Sequence, residues 1–332
     1  MDDLLKVSHL QTAFDTDKGR VISVDDVSFR LMPGETLALV GESGSGKSVT
    51  ALSVMKLLGK GSCIVGGEVL FEGTDVLELD DKGMREIRGN KISMIFQEPM
   101  TSLNPLLTIG YQLCESIILH LKQSKKEACI HAVEMLKKVG LPRPEQMLNE
   151  YPFALSGGMR QRVMIAMALS CRPKVLIADE PTTALDVTVQ AQIMQLMKDL
   201  CADAGTAILL ITHDLGVVAE MADRVLVMYA GQVVEETDVY TLFDDPEHPY
   251  TQGLLKSIPR MDAEDDEQLV AIPGMVPGRY HAITGCRFYN RCSLATERCR
   301  TDLPPLAMTA TGHYTRCWEV GHEEEQIGVD YE

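Results

Sequence analysis

The sequence has no apolar run that approaches the roughly 18 to 20 residues needed to span a bilayer. Its first residues, MDDLLKVSHL, lack the basic and apolar segments of a secretion signal. Basic residues are scarce as well, since 31 Lys and Arg stand against 48 Asp and Glu, a net charge of −17 that repels a polyanion such as DNA. These shortages disfavour a membrane-spanning or nucleic-acid-binding protein, and we expect the chain to stay in the cytosol.

The cysteines also lack two familiar patterns. Their number, nine, is odd, and without a secretion signal this argues against a disulfide framework. None of the late cysteines stands in a CxxC pair of the kind found in ordinary zinc ribbons. Four of them instead crowd the last fifth of the chain: Cys286, Cys292, Cys299 and Cys317.

The 332 residues are 45% hydrophobic and 24% charged, which is a globular composition that suits one large domain with an appendage. Short apolar or alternating segments predict strands up to about residue 95, and helical periodicity follows over about 98–172. KVLIAD and AILLIT are typical of buried parallel strands, and TVQAQIMQLMKDLCADAG between them predicts a crossover helix. RVLVMYAGQVVEE predicts a hairpin across Ala230 and Gly231. The pattern predicts an α/β fold.

A phosphate-binding loop is predicted at Gly41–Ser48. The segment GESGSGKS fits GxxxxGK[ST], follows the predicted strand ETLALV and precedes a helix-forming run. Its glycines allow backbone N–H groups to turn towards phosphates, and the helix offers its positive end. In this motif Lys47 would contact the β- and γ-phosphates and Ser48 would bind Mg²⁺. The alternative is a Gly/Ser-rich turn with a solvated lysine.

Two consecutive carboxylates end the strand KVLIAD. A buried strand that delivers a carboxylate at its end is how phosphate-loop sites hold Mg²⁺, so we expect Asp179 to be a metal ligand. Glu180 is the natural base for a hydrolytic water. Both roles depend on the phosphate loop, because an Asp-Glu pair alone is more often a polar strand end.

The segment LSGGMRQR, from Leu155 to Arg162, resembles the LSGGQ signature of ATP-binding cassette (ABC) proteins, with Met159 where that family usually has Gln. The other elements follow in the family's order: Gln97 resembles the Q-loop, Thr183-Ala-Leu-Asp186 the D-loop, and His213 the switch histidine. The resemblance implies a RecA-like core with an antiparallel β subdomain and a helical signature subdomain over about 98–172.

The resemblance also implies roles for individual residues. Glu180, His213 and Lys47 would be catalytic, and Ser48, Gln97 and Asp179 would hold Mg²⁺. Phe14, which ends the first predicted strand, is the candidate for stacking on adenine, although a core aromatic is about as plausible there. The set expected to contact nucleotide is Phe14, Gly41, Glu42, Ser43, Gly44, Ser45, Gly46, Lys47, Ser48, Val49, Gln97, Ser156, Gly157, Gly158 and Asp186.

Within the ABC proteins, the chain is most similar to the longer ATPase subunit of dipeptide/oligopeptide importers. The segments FQEPMTSLNPLLTIG and DDPEHPYTQGLLKSIP and the cysteine-rich end carry this likeness. It divides the chain into a nucleotide-binding domain, 1–255, and an extension, 256–332. By the same likeness the four late cysteines would hold a [4Fe–4S] cluster, with zinc as second choice and reduced core cysteines as the remaining interpretation. Arginines interleaved with them suit an anionic cluster.

The resemblance implies an ATPase that powers peptide import across the cytoplasmic membrane from a peripheral position on its cytoplasmic face. The implied partners are a homologous ATPase subunit in a heterodimer, two transmembrane permease subunits and, indirectly, an extracytoplasmic peptide-binding protein, with no nucleic acid. The alternatives are an importer of nickel or another small solute and, further off, a soluble ABC ATPase of DNA repair. The latter usually has a long coiled coil or zinc module between phosphate loop and signature, where only about 110 residues intervene here.

Overall fold

The computed structural model describes residues 3–17, 19–97, 102–183, 185–258, 271–278, 280–309 and 313–327. The chain divides into two compact units, each made of separate stretches of sequence. Unit A comprises residues 31–36 and 78–211, together with residue 1. Unit B comprises residues 2–30, 37–77 and 212–332.

Unit A contains parallel strands and the helices inserted between them. The strands are β6 (Ile92–Ile95), β7 (Val175–Asp179) and β8 (Ala207–Ile211); β6 pairs with β7 and β7 with β8, both in parallel. The helices are α2 (Asp81–Ile87), α3 (Ile109–Leu121), α4 (Lys125–Lys138), α5 (Pro144–Met147), α6 (Gly157–Leu169) and α7 (Val187–Ala204). Every residue of β7 and β8 is buried, which explains their continuous apolar sequence.

Periodicity predicted helices over about 98–172, and α3 to α6 lie within that range, whereas α2 lies earlier, in the part that was predicted to contain strands. Ser124 and Glu127 form a capping box that begins α4. Gly205, with φ of 68°, takes up the left-handed conformation that ends α7. The first residues of the predicted helical segment, 98–101, lie outside the described residues.

Unit B carries the antiparallel strands. β1 (Leu5–Thr16) pairs with β4 (Ser62–Phe71), which pairs with β5 (Thr74–Asp75), and β2 (Gly19–Leu31) borders β1. A second set of hydrogen-bonded strands consists of β3 (Thr36–Val40), β9 (Arg224–Tyr229), β10 (Gln232–Asp238), β11 (Ala307–Thr309), β12 (Tyr314–Thr315) and β13 (His322–Ile327). β9 runs parallel to β3, and β10 folds back on β9 as the predicted hairpin.

The helices of Unit B are α1 (Lys47–Val54), α8 (Leu215–Met221), α9 (Val239–Asp244), α10 (Pro249–Lys256) and α11 (Glu297–Thr301). Among the described residues, no helix is long and apolar enough to cross a membrane. The extension belongs to this unit: β12 adds to β10, and Tyr280 and Phe288 share one core with Tyr229 and Tyr250. The described residues beyond 256 therefore include several that pack on β9, β10 and α10.

Candidate nucleotide-binding site

The predicted phosphate loop connects β3, which ends at Val40, to α1, which begins at Lys47. Gly41 and Gly46 have φ of 147° and 107°. A Cβ at Gly41 would lie 2.1 Å from the carbonyl oxygen of Met228, and one at Gly46 would lie 2.7 Å from that of Ser23. The loop therefore needs glycine at both positions, and the predicted strand, loop and helix context is confirmed.

Lys47 lies over the loop that precedes it. Its side chain is buried, and Nζ donates hydrogen bonds to the carbonyl oxygens of Gly41, at 2.8 Å, and of Glu42, at 3.0 Å. The amide of Ser45 also donates to the Glu42 carbonyl, at 3.2 Å. Two backbone carbonyl groups of the loop therefore bind the ammonium group of Lys47. The phosphates of a bound ATP would compete with these carbonyl groups for the ammonium group.

Glu42, the second residue of the loop, is bound by two residues that sequence reasoning missed. Its amide donates to the hydroxyl of Tyr250 at 2.7 Å. Its carboxylate accepts hydrogen bonds from both guanidinium NH2 groups of Arg291, at 2.6 and 3.0 Å. Because Arg291 lies 249 residues further along the chain, no local sequence pattern could have indicated this contact.

In Unit A, the strand β7 delivers Asp179 and Glu180, as predicted. Asp179 is the last residue of the strand and is buried. Glu180 has φ of 45°, a conformation in which few residues other than glycine are found, and its amide donates to the carbonyl of Ile211 at 2.8 Å. Strained backbone of this kind is common at active sites.

The Q-loop and D-loop residues meet at the Glu180 carboxylate. Gln97 Nε2 donates to Glu180 Oε2 at 2.9 Å, and Thr183 Oγ1 donates to the same oxygen at 3.0 Å. The Thr183 amide also donates to the Glu180 carbonyl at 3.2 Å. Gln97 and Glu180 were both expected at the site; the D-loop motif included Thr183, but gave no indication of its contact with Glu180.

The signature segment opens a helix, as expected. Ser156 is the N-cap of α6 and its hydroxyl accepts a hydrogen bond from the amide of Met159 at 3.3 Å. Ser156 is exposed, and Gly157 and Gly158 begin the helix with N–H groups that have no partner within its first turn. Asp186 likewise caps α7, by accepting from the amide of Val189 at 2.9 Å.

The predicted site residues are distributed over both units. The phosphate loop, His213 and Phe14 belong to Unit B, whereas Gln97, the signature segment, Asp179, Glu180 and Asp186 belong to Unit A. His213 is exposed and stands two residues after the end of β8. Phe14 is half-buried in β1, paired in register with Ser62, and its stacking role stays a prediction.

Four cysteines of the extension line one small pocket of about 10 Å³, together with Phe288 and Trp318; they are Cys286, Cys292, Cys299 and Cys317. Burial raises the pKa of the Cys286 and Cys317 thiols to about 11 and also raises that of Cys292. All nine cysteines of the chain lie in the described ranges, and none forms a disulfide. Over these ranges, no group of three or more His, Cys, Asp or Glu side chains is arranged to hold a single metal ion.

The arginines interleaved with these cysteines bind other groups. Arg287 contacts Asp25 and the carbonyl of Ala230, and Arg291 contacts Glu42. Arg298 lies 3.5 Å from the centre of the Trp318 ring, and Arg300 pairs with Glu297 at 3.4 Å. The positions of these arginines between the cysteines in the sequence therefore give no support to an anionic cluster, although the sequence analysis expected them to.

Two family descriptions match the chain. Residues 24–183 match "ABC transporter", and residues 234–299 match "Oligopeptide/dipeptide transporter, C-terminal region". The second match covers most of β10, then α9, α10 and the first three of the clustered cysteines. The first match contains the predicted phosphate loop, Q-loop and signature segment, and the second begins within the predicted nucleotide-binding domain, 1–255, and continues into the predicted extension.

Named relatives span nearly the whole chain. The oligopeptide transport ATP-binding protein AppD of Bacillus subtilis is 56% identical over 98% of both chains. The dipeptide transport ATP-binding protein DppD of Escherichia coli is 47% identical over 95% of this chain and 96% of its own. Among solved structures, the dimeric ATP-binding cassette MJ0796 with bound ADP and phosphate is 31% identical, with a TM-score of 0.64, and covers 71% of this chain and 98% of its own.

Proposed function

Because this chain belongs to the ABC family of oligopeptide and dipeptide transport ATP-binding proteins, we propose that it hydrolyses ATP to power uptake of dipeptides or oligopeptides across the cytoplasmic membrane. The observation that carries the hydrolytic part is the Glu180 carboxylate, which is oriented by hydrogen bonds from Gln97 and Thr183 at the end of a buried strand. The peptide part draws on the relatives, whose names state peptide transport.

In the proposed mechanism, Lys47 exchanges the carbonyl groups of Gly41 and Glu42 for the phosphates of ATP. Glu180 acts as the general base that takes a proton from the attacking water, and His213 contacts the γ-phosphate. Ser48, Gln97 and Asp179 would hold Mg²⁺, whose oxygen-ligand preference their side chains meet. When bound, the ion neutralises charge that develops on the phosphates. The remaining residues of the nucleotide set position the substrate.

We propose that a second cassette completes each ATP site. The N–H groups that open α6 at the signature segment would meet a γ-phosphate bound by the partner cassette, because a helix N-terminus favours an anion. The solved relative MJ0796 is a dimer, which supports a paired arrangement. For this chain the partner is a homologous ATPase subunit, so the pair is a heterodimer.

The other partners proposed are two transmembrane permease subunits, served by an extracytoplasmic peptide-binding protein, with the chain peripheral on the cytoplasmic face. Large apolar side chains exposed on Unit A support a docking surface there, notably Leu106, which is 82% exposed, Tyr111, Leu119 and Phe153. Nickel or another small solute is the alternative cargo. A soluble ATPase of DNA repair finds no support in the oligopeptide/dipeptide match.

The experiment compares uptake of labelled dipeptide, longer peptide and nickel in cells whose only copy carries Glu180→Gln. We expect selective loss of peptide uptake. Glu145→Gln is the matched control, because Glu145 is exposed and its ion pair with Lys137 is of the surface type that contributes little. Loss of nickel uptake alone would favour the alternative cargo, and unchanged uptake of all three would contradict the proposal.

We further propose that residues 256–332 form a distinct extension whose Cys286, Cys292, Cys299 and Cys317 hold a [4Fe–4S] cluster, with zinc as second choice. The residues fit in kind and number, since four thiols line one pocket and a [4Fe–4S] cluster takes four cysteine ligands, each on a different iron. Iron and sulfide in about equal amounts after anaerobic purification, lost in Cys299→Ser, would support the cluster. Zinc or no metal would contradict it.

A further inference from the structure

We propose that Arg291 of the extension is a positioning residue for ATP binding: it fixes Glu42 of the phosphate loop and cancels the charge of its carboxylate. The inference rests on the proposed role of this loop. It assigns to the extension a direct part in nucleotide binding, through an arginine that lies next to Cys292 and outside the segments that resemble ABC motifs.

The contact between Arg291 and Glu42 has the geometry of a strong ion pair. The two guanidinium NH2 groups donate to the two carboxylate oxygens, at 2.6 and 3.0 Å, in the bidentate form that gives arginine its specificity for carboxylates. The Arg291 side chain is only 5% exposed and that of Glu42 is 30% exposed. Solvent therefore screens this pair less than it screens an ordinary surface pair.

Arg291 is itself held rigidly. Its Nε donates to the carbonyl of Pro273 at 2.8 Å, and its guanidinium lies 5.7 and 5.9 Å from the ring centres of Tyr229 and Phe288. The Glu42 carboxylate raises the pKa of Arg291 further above its ordinary value. Since the guanidinium is already ordered by these contacts, it fixes Glu42 at little cost in side-chain entropy.

Glu42 is the point at which this contact reaches the reactive part of the loop. Its carbonyl accepts a hydrogen bond from Lys47 Nζ, and its amide donates to Tyr250. Tyr250 packs against Phe288 of the extension, with ring centres 5.5 Å apart. Arg291 thus holds the side chain of Glu42, and Phe288 packs against Tyr250, which binds the Glu42 amide. The Glu42 carbonyl in turn binds Lys47, the predicted phosphate-binding lysine.

The charge of Glu42 gives the pair a second consequence. A carboxylate in the loop that must bind a polyanionic triphosphate repels it, and this repulsion is strongest where the carboxylate has no countercharge. The guanidinium of Arg291 makes the pair neutral overall. Removing Arg291 alone should therefore weaken ATP binding more than removing both charges together.

The test measures binding of ATP and ADP to the full chain, and KM and kcat of its ATPase activity, in Arg291→Met, Arg291→Lys, Glu42→Gln and the double variant Glu42→Gln/Arg291→Met. We expect Arg291→Met to raise KM for ATP on the order of tenfold, the range for a lost hydrogen bond to a charged group, with kcat little changed. Arg291→Lys should recover part of the loss, and the double variant should recover most of it.

Arg300→Met is the matched control, because Arg300 lies in the same extension with an exposed side chain paired to Glu297. An unchanged KM in Arg291→Met would overturn the proposal. An equal rise of KM in Arg300→Met would also overturn it, because it would indicate general disturbance of the extension. A double variant with a KM as high as that of Arg291→Met would overturn it as well. Thermal unfolding of each variant without nucleotide checks that it folds. Lys47→Ala tests the loop separately: if it still binds ATP, the proposed function fails, whatever Arg291 does.

Discussion

Two glutamates of the chain, Glu42 in the phosphate loop of Unit B and Glu180 after β7 of Unit A, accept hydrogen bonds from different kinds of donor. Glu42 faces the fixed positive charge of Arg291, whereas Glu180 accepts hydrogen bonds from an uncharged amide, Gln97, and an uncharged hydroxyl, Thr183. The Arg291 guanidinium supplies a countercharge to Glu42 through two charge-assisted hydrogen bonds. Gln97 and Thr183 orient the Glu180 carboxylate by hydrogen bonding.

The difference teaches how the chain uses the same residue type in two ways. Glu42 is suited to fix the backbone of the predicted phosphate loop, because its carboxylate is held in an ion pair with Arg291. Glu180 is suited to proton transfer, because hydrogen bonds from Gln97 and Thr183 set the direction of its carboxylate at the end of a buried strand. An exchange of these hydrogen-bond donors would be expected to damage both functions.

The largest effect is expected for Glu180→Gln. The amide cannot accept the proton of the attacking water, so kcat should fall at least about 100-fold, the lower range for loss of general-base catalysis. ATP binding should remain, since the phosphate loop is untouched. Steady-state ATPase assays with equilibrium ATP binding measure both quantities. If Glu42→Gln lowered kcat as much as Glu180→Gln, the contrast between the two glutamates would be wrong.

Acid should disturb the Glu42 arrangement through His248, which caps α10 by accepting a hydrogen bond from the Tyr250 amide at 3.0 Å. Burial lowers the pKa of His248 from 6.5 to about 3, so the folded state excludes a proton that the unfolded state binds. Its stabilising contribution is complete above pH 6.5 and is lost as the pH falls towards about 3. Between a pH well above 6.5 and pH 5 the free energy of unfolding should fall by about 2 kcal/mol, roughly 30-fold in the equilibrium.

Urea unfolding at several pH values measures this slope, with His248→Asn as control. Asparagine keeps a capping oxygen for α10 but does not titrate, so the variant should lose the part of the slope that belongs to His248. Buried acidic groups nearby, such as Glu235, whose pKa burial raises, remain in both proteins and cancel in the comparison. Identical slopes in the two proteins would show that His248 does not carry the effect.

How much of this was accessible from sequence depends on the distance between the partners. The phosphate loop follows from local geometry, since the positive φ angles at Gly41 and Gly46 belong to a motif of eight residues. The start of α6 follows in the same way, because the cap at Ser156 lies beside the helix that it opens. Such features depend on neighbours in the chain, and the sequence analysis placed them correctly.

The contacts that distinguish the two glutamates were not accessible in this way. Arg291 reaches Glu42 only because β9, α10 and the extension share one core, and the sequence carries no periodicity for that packing. The arginines that alternate with the cysteines suggested a different partner, an anionic cluster. That prediction assumed that arginines close to the cysteines in sequence also place their charges close to them in space. Tertiary packing decides where long side chains point, and it gave each of these arginines another contact.

Thr183→Val sharpens the comparison on the side of Glu180. Valine keeps the shape of threonine but cannot donate to Glu180 Oε2, so the carboxylate loses an orienting donor. We expect kcat to fall about tenfold, the range for one hydrogen bond to a charged group, with KM for ATP unchanged. Thr183→Ser keeps the hydroxyl and should retain activity close to that of the natural chain. A rise in KM without loss of kcat would contradict the assignment.

Tyr250→Phe is the mildest test, on the side of Glu42. Its hydroxyl accepts the hydrogen bond of the Glu42 amide at 2.7 Å, while the ring packs against Tyr229 and Phe288. Phenylalanine keeps the packing and removes only the acceptor, so KM for ATP should rise about threefold to fivefold, in line with one neutral hydrogen bond. Because Arg291 still holds the carboxylate, the effect should stay below that of Arg291→Met, and kcat should not change. An effect on KM larger than that of Arg291→Met would show that the backbone contact, and not the ion pair, is what fixes the loop.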